Sequence, residues 1–185
     1  MNRVTLALCC CFVLAASSIA TNVVAANDTA AARGVELLKP FKTSLKRALL
    51  AGLEDGPENA ISACKDQAPA IAQSLSTDDV KVGRTSHRLR NPANKSPDWV
   101  TAVLEAYLSE DSDREPTIVP LADSRLGYVE PIVMQPLCLS CHGAVLASGV
   151  AVRIKEEYPY DEAVGFEVGD LRGVFWAEFP DPDTH

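Results

Sequence analysis

The pentapeptide Cys138-Leu139-Ser140-Cys141-His142 constrains this chain more than any other feature. Two cysteines separated by two residues and followed at once by histidine have the spacing of a c-type haem attachment site. On a tight turn the two thiols can reach the two vinyl-bearing edges of one porphyrin, and the next residue then lies beneath the ring, where a neutral imidazole nitrogen can bind iron. The motif therefore predicts one covalently attached haem c, with His142 as the proximal iron ligand.

The same residues have other interpretations. The two thiols of the motif could form a structural disulfide or a redox dithiol, and Cys64, Cys138, Cys141 and His142 together could form a structural zinc site. A thiol–disulfide oxidoreductase, however, carries its cysteine pair in a βαβ context, and no such pattern precedes Cys138. Adjacent Cys141 and His142 also suit a flat macrocycle better than a tetrahedral ion, so haem is the favoured interpretation.

The amino terminus has the pattern of a secretory signal peptide. Arg3 supplies a positive charge, residues 4–20 are uncharged and mostly apolar, and small residues at 24–26 suit signal peptidase. We therefore expect residues 1–26 to be removed and residues 27–185 to fold in the periplasm as a single domain. An uncleaved membrane anchor is the alternative, and membrane association is not expected after cleavage.

Export changes the cysteine count. Three of the six cysteines, at positions 9–11, lie in the predicted signal peptide, which leaves Cys64, Cys138 and Cys141. If the pair holds haem, Cys64 is a lone thiol in an oxidising compartment, where unpaired thiols usually have a function. Cys64 is therefore the second informative residue.

The overall charge limits the partners. The 185 residues carry a formal net charge of −8, with 25 acidic residues against 17 basic ones. Nucleic-acid binding needs a concentrated basic surface, so the composition argues against it. A chain of this length supports one domain with a hydrophobic core.

The first half of the chain reads as helical. Apolar residues recur at helical spacing over 35–52 and again over 60–75, and Cys64 lies on the apolar face of the second helix. Pro40 would either bend the first helix or mark its start, and Pro57 suits the first turn of the second.

The second half mixes helices with strands. Ser96-Pro97-Asp98 predicts the start of a third helix, with the Ser96 hydroxyl as its cap. A short fourth helix is expected within 144–157. Strands are predicted at 117–121, at 126–134 after a turn at 123–124, and at 171–179. Helices packed on a small antiparallel sheet make an α+β domain.

The second axial position of the iron has several candidates. They are Cys64, Met134, His87 and His185, or no residue at all. Met134 sits within a predicted strand and is better explained as core, and His185 is the last residue of the chain. Since Pro69 cannot donate to the carbonyl of the residue four positions earlier, it loosens the turn after Cys64.

Five sequence blocks carry a family resemblance. In chain order they are Cys64-Lys65-Asp66-Gln67-Ala68-Pro69, Arg84-Thr85-Ser86 with Arg90-Asn91-Pro92-Ala93-Asn94, Tyr128 with Pro131-Ile132, Cys138-Leu139-Ser140-Cys141-His142-Gly143, and Tyr158-Pro159 followed by Ala163-Val164-Gly165-Phe166 with Gly169-Asp170-Leu171-Arg172-Gly173. Over residues 33–179 the chain resembles an exported c-type haem domain family with a PAS-like fold, formerly a domain of unknown function. Its members stand alone or act as sensor modules of histidine kinases and chemotaxis receptors.

The resemblance implies both a fold and a set of iron ligands. The fold is a PAS-like antiparallel sheet flanked by helices. The ligands are the histidine of the attachment motif and a cysteine from an early helix, which here are His142 and Cys64. His87 departs from the family pattern, in which apolar residues are usual at that position.

The basic residues near His87 and the proposed iron ligands lead to a hypothesis about function. Arg84, Arg88 and Arg90 form a basic patch that could pair with the haem propionates. A thiolate ligand favours ferric iron and a low reduction potential. We therefore expect a periplasmic monohaem c-type cytochrome with His/Cys ligation that exchanges electrons with a redox partner protein or senses redox state, rather than an enzyme. The alternatives are a peroxidase-like haem enzyme, with His87 as its acid–base group, and a sensor of diatomic gases.

Overall fold

The computed structural model describes residues 14–109 and 112–182, with side chains from Asn27 onward except that of Ala63. Nine helices and strands organise this part of the chain. In order they are α1 (Leu14–Glu54), α2 (Pro57–Leu75), β1 (Lys81–Thr85), α3 (Asp98–Tyr107), β2 (Thr117–Leu121), β3 (Arg125–Val133), α4 (Leu139–His142), α5 (Ser148–Glu157) and β4 (Leu171–Pro180), with short 3₁₀ turns at Pro92–Asn94 and Pro136–Cys138. The predicted α+β class is confirmed.

The four strands form one antiparallel sheet in the order β1-β4-β3-β2. The two central strands, β3 and β4, pair along almost their whole length, with Val129 opposite Trp176. The hairpin between β2 and β3 turns at Asp123 and Ser124, where φ is 55° and 51°. The turn predicted at these two residues is therefore confirmed.

Helices α1 and α2 cover one face of the sheet. Leu38 and Phe41 of α1 are fully buried against Tyr128 and Phe179. The close approach depends on Gly34, because a Cβ at that position would lie 2.2 Å from the Tyr128 ring. Burial of these large side chains in water-excluded contacts is the main stabilising force on this face.

Helix α3 covers the opposite face. Val100 and Leu104 of α3 pack on Val129 and Val174, which alternate with the residues facing α1 and α2. The sheet therefore lies between two helical layers, because successive side chains of a strand point to opposite faces.

Helix α5 packs outside α2 and away from the sheet. Ile61 of α2 contacts Val150, Ile154 and Tyr158 through a small apolar cluster of its own. This arrangement leaves a space between α1, α2 and the ends of β1 and β3, and α4 lies at that space.

Three details differ from the sequence predictions. Ser96 does not cap α3: its hydroxyl lies 2.8 Å from the Thr101 hydroxyl, and no side chain caps the first turn, which follows Pro97. The helix predicted over 144–157 begins only at Ser148. Pro40 lies inside α1 and so does not mark its start.

The sequence also gave no sign of strand β1. It is short, it lies at the sheet edge, and its sequence Lys-Val-Gly-Arg-Thr contains two charged residues and a glycine. Pairing with β4 determines its conformation, since local propensity there is weak.

The predicted signal peptide, residues 1–26, falls wholly outside the described side chains, and only the backbone of its residues 14–26 is described. Positions 9–11 and His185 lie beyond the described residues, and α1 begins at Leu14 and continues past position 26. Cleavage there stays a prediction. No helix within the described residues is both long enough and apolar enough to span a bilayer.

Candidate functional site

A cavity of about 290 Å³ lies between α1, α2, the sheet end and α4. This volume is close to the lower end of small-molecule pockets, roughly 300 Å³. Cys64, Cys138, Cys141 and His142 all line the cavity, although Cys64 is 74 positions before Cys138. The fold therefore brings together the four residues that the sequence singled out.

The attachment motif forms two successive helical turns. Cys138 ends the 3₁₀ turn and Cys141 lies within α4, so their side chains are about one turn apart on the same side. Gly143 allows the tight exit from α4, because a Cβ there would lie 2.7 Å from the carbonyl oxygen of Leu139. This is the tight turn that thioether attachment of a planar ring requires.

His142 is held in one orientation. Its Nδ1 lies 2.7 Å from the carbonyl oxygen of Ala163. A carbonyl only accepts hydrogen bonds, so Nδ1 carries the proton and Nε2 is left with a free lone pair. Burial, together with the nearby guanidinium groups of Arg172 and Arg90, lowers the pKa of His142 to about 2. A neutral imidazole with an anchored Nδ1–H is the form that binds metals.

The three described cysteines are unpaired thiols, each half-buried. Burial raises the pKa of the Cys141 thiol above its ordinary value. No group of three or more His, Cys, Asp or Glu side chains in the described residues is arranged to hold a metal ion. The sheet is antiparallel throughout, so the βαβ context of a thiol–disulfide oxidoreductase is also missing from these residues.

The cavity wall is strongly cationic in an acidic protein. Five basic side chains line it: Lys42, Lys46, Arg84, Arg90 and Arg172. No aspartate or glutamate is among the described lining residues. The cavity therefore selects for a ligand that carries negative charge.

Two of these cations already have acidic partners. Lys42 pairs with Glu130 at 2.6 Å, and Arg90 pairs with Asp161 at 3.1 Å. The Arg84 guanidinium makes no hydrogen bond or ion pair with another described residue. Arg84 is thus the arginine of the wall that is most available to a ligand.

Some predicted site residues lie elsewhere. Arg88 is not among the cavity-lining residues: it donates to the carbonyls of Glu162 and Val164 and lies over the ring of Phe166 at 4.3 Å. His87 is exposed and packs edge-on against Phe166, with ring centroids 5.9 Å apart. Neither residue is brought to the attachment motif's cavity by the fold.

Met134 fits the core role predicted for it. It is 1 % exposed and packs with Ala163 and Phe166 beneath the attachment motif. It also lines the cavity, so its sulfur remains a rival of Cys64 as an iron ligand.

Comparison with known proteins identifies the family. The model of the Tll0287-like family matches residues 14–180. This chain belongs to the Tll0287-like family. The crystal structure of the cyanobacterial haem protein Tll0287 has the same fold, with a TM-score of 0.55 and 24 % identity over 82 % of this chain and 94 % of that one. No curated protein matches the sequence.

Sequence reasoning assigned no role to Arg172, although the residue lies in one of the blocks shared with the haem-domain family. Arg172 reaches the cavity from β4, and its guanidinium donates to the Ser86 hydroxyl at 2.7 Å and to the Arg88 carbonyl at 3.2 Å. Burial and the neighbouring Arg84 and Arg90 lower its pKa to about 10. Arg172 is the one basic residue of the closing strand, whose only other charged residue is Glu178, and this was the signal that could have found it.

The residues of this Tll0287-like site fit a haem group. Two thiols on one turn, an oriented neutral imidazole and a facing thiol supply attachment points and iron ligands. The cationic wall matches the two propionates of haem, which would otherwise be costly to bury. The thiols, the imidazole and the basic side chains of the site therefore match the vinyl groups, the iron and the propionates of haem.

Proposed function

We propose that this protein is a monohaem c-type cytochrome in which Cys138 and Cys141 hold the haem covalently and His142 binds the iron. The observation that carries the proposal is the single cavity shared by the attachment motif and Cys64. Membership of the Tll0287-like family and the shared fold with a haem protein support it. The sheet with helices on both faces is also compatible with the PAS-like domain that the resemblance implied.

The cationic wall would receive the propionates. Arg84 and Lys46 have no acidic partner among the described residues, and Arg172 donates only to neutral oxygens. Charge-assisted hydrogen bonds from arginine to carboxylate are stronger than neutral ones and often bidentate. These three residues are therefore better propionate partners than Arg88, which faces backbone carbonyls.

Cys64 would bind the iron on the side opposite His142. It lines the cavity from α2, whereas the attachment motif lines it from α4. When bound, the haem supplies reversible one-electron chemistry at its iron, and a thiolate ligand lowers the potential of that couple. Cys64 would enter this position as thiolate, releasing its proton.

The ligand set suits low-potential electron transfer or redox sensing. With cysteine at one axial position and histidine at the other, the iron of the resting protein would be six-coordinate and low-spin. No coordination position would then be open to a substrate. Export to the periplasm through the signal peptide at residues 1–26 is part of the proposal, because covalent haem attachment takes place there in bacteria. The partner would be another redox protein, and the exposed position of His87 away from the cavity lends no support to a peroxidase.

The test is to express the full chain with the haem ligation machinery and recover the exported product. A denaturing gel stained for haem, with an intact mass measurement, would show one haem retained after denaturation and the loss of residues 1–26. Absorption and EPR spectra of the ferric protein would then identify both axial ligands. A colourless product with the mass of bare polypeptide would refute the proposal.

A further inference from the structure

A segment comprising residues 161–166, here called the strap, crosses the back of the attachment motif. The amide of Gly165 donates to the Gly143 carbonyl at 3.0 Å, and the amide of Phe166 donates to the His142 carbonyl at 2.9 Å. Residues 143 and 166 form an isolated parallel bridge. The strap is therefore attached to the motif through the backbone.

A largely buried ion pair joins the strap to the loop that follows β1. The side chains of Arg90 and Asp161 are only 12 % and 8 % exposed, and Arg90 contacts both carboxylate oxygens, at 3.1 and 3.2 Å. The same guanidinium donates to the carbonyls of Cys141 at 2.6 Å and Ala163 at 3.1 Å. Arg90 thus bridges the attachment motif and the strap from a third segment of the chain.

Ala163 is the point at which these contacts meet. Its amide donates a hydrogen bond to the Asp161 carboxylate at 2.9 Å. Its carbonyl accepts hydrogen bonds from Arg90 Nη2 at 3.1 Å and from His142 Nδ1 at 2.7 Å. Both polar groups of this one residue are therefore fixed by the ion pair. Rotation of the carbonyl that orients His142 would therefore disturb its hydrogen bond with Arg90.

We propose that Arg90 and Asp161 are positioning residues that set the orientation and electron donation of His142 through the carbonyl of Ala163. This inference rests on the proposed function. Neither residue needs to touch the haem, and Arg90 is assigned here to the protein framework rather than to a propionate. Loss of a group that orients a metal-binding histidine typically changes metal affinity or activity by about 10- to 100-fold.

The two residues act with opposite signs. The Arg90 cation shares the Ala163 carbonyl and draws electron density from it, so it weakens the hydrogen bond from His142 and leaves the ring a poorer donor. Removing Arg90 would make the ring more electron-rich and leave the Asp161 carboxylate unbalanced, and both effects favour ferric iron. Removing the charge of Asp161 would leave a buried cation near the iron, which favours the reduced state.

The test compares Asp161→Asn and Arg90→Gln in the haem-loaded protein. Asp161→Asn keeps an oxygen for the Ala163 amide and should raise the midpoint potential, whereas Arg90→Gln should lower it. We expect each to change the reduction equilibrium constant about three- to tenfold, where tenfold is 59 mV for one electron. Shifts of the same sign in both variants, or no shift in either, would overturn the proposal.

The matched controls use another partly buried ion pair. Arg125 Nε lies 2.8 Å from Glu178 on the sheet, and neither residue lines the cavity. Glu178→Gln and Arg125→Gln should therefore leave the potential at its wild-type value. A shift in these controls as large as in the strap variants would show a non-specific charge effect and reject the positioning role.

A second measurement does not depend on haem. Amide hydrogen exchange of Gly165 and Phe166 should be faster in Asp161→Asn and Arg90→Gln than in the wild type. It should also be faster in Arg90→Lys, because lysine keeps the positive charge but lacks the forked guanidinium that donates to several acceptors at once. Arg90→Lys should nevertheless retain a potential closer to wild type than Arg90→Gln. A wild-type product without covalent haem would refute the proposed function alone, whereas unchanged exchange at the strap would refute the positioning role alone.

Discussion

The two sides of the cavity are built differently. On the attachment side, α4 is tied to the strap by backbone hydrogen bonds and by the buried Arg90–Asp161 pair. On the facing side, Cys64 projects from α2. The polar links of α2 to α5 include the Lys65–Glu157 pair, in which the side chains are 43 % and 17 % exposed. The attachment side is therefore held by polar contacts that are largely shielded from water, whereas the helix that carries Cys64 is held by apolar packing and by a more exposed ion pair.

The helix that carries Cys64 has a further weakness. Pro69 lies inside α2, where it cannot donate to the carbonyl of Lys65, the residue that follows Cys64. Exposed ion pairs stabilise by only about 0–1 kcal/mol, whereas breaking a buried pair costs several times as much. If the cavity holds haem as proposed, the histidine side would be the more rigid mount, and the cysteine side would be the one that moves when the iron is reduced.

The largest effect is expected on the attachment side. Replacing Cys138 and Cys141 together with alanine removes both thioether links, so the exported protein should lose all covalent haem. The measurement is haem staining of a denaturing gel, with intact mass as confirmation. Cys64→Ala is the matched control, because it removes a cysteine from the same cavity and should leave the covalent haem in place. Haem that still resists denaturation in the double variant would show that the motif does not hold it.

A large but different effect is expected from Cys64→Ala. Loss of the thiolate should raise the reduction potential and change the ferric EPR and absorption spectra, since a thiolate donates more electron density than water or an amine. The reduced variant should bind CO readily through the vacated position. Met134→Leu is the control: it removes the rival sulfur of the cavity and should leave the spectra unchanged. Changed spectra in Met134→Leu together with unchanged spectra in Cys64→Ala would identify Met134, not Cys64, as the iron ligand.

CO binding to the reduced wild-type protein sharpens the same comparison. If the cysteine side yields on reduction, the wild-type ferrous protein should bind CO at a slower rate than Cys64→Ala, because the thiol must first leave. The measurement is stopped-flow absorption after mixing with CO. Equal rates would show that Cys64 is not bound in the reduced state, and complete failure to bind would show that the cysteine side is as rigid as the histidine side.

An intermediate effect is expected at the cationic wall. Arg84→Gln removes the cavity arginine whose guanidinium makes no hydrogen bond or ion pair with another described residue. The haem-loaded protein should therefore unfold about 1.5–3 kcal/mol more easily, the cost of a lost hydrogen bond to a charged group. Denaturant unfolding measures the change. Arg88→Gln is the control, because Arg88 is absent from the cavity lining and its loss should affect haem-free and haem-loaded protein alike. An Arg84→Gln effect equally large without haem would remove Arg84 from the propionate site.

The sequence was most informative where chemistry depends on spacing. The attachment motif, Cys64 on an inward helix face and the β2–β3 hairpin follow from local patterns, and the structure brings the first two to one cavity. The basic patch was less informative. Arg84, Arg88 and Arg90 are close in sequence, yet only Arg84 and Arg90 line the cavity, because side chains of neighbouring residues point in different directions.

The features that could not be predicted from the sequence depend on contacts between residues far apart in the chain. Arg90 pairs with Asp161, 71 residues later, and Arg172 joins the wall only because β4 lies beside β1. Strand β1 itself forms through pairing rather than propensity. Such contacts depend on how distant segments of the chain pack together, which no local pattern encodes.

The smallest effect is expected from the ion pair that links α2 to α5. The hydrogen bond from Lys65 lowers the pKa of Glu157. At any pH above the ordinary pKa of a glutamate, the ionised carboxylate therefore stabilises the folded protein. This stabilisation is lost as the pH falls through the lowered pKa. Glu157→Gln should therefore be slightly less stable than wild type at neutral pH and equal to it in acid, as followed by thermal unfolding across pH. Glu156→Gln is the neighbouring control, since Glu156 lies 3.6 Å from Arg153 and makes no contact with α2 among the polar contacts of the described residues. If Glu157→Gln destabilised the protein as much as Asp161→Asn, the side that carries Cys64 would be as firmly held as the side that carries His142, and the contrast between them would fail.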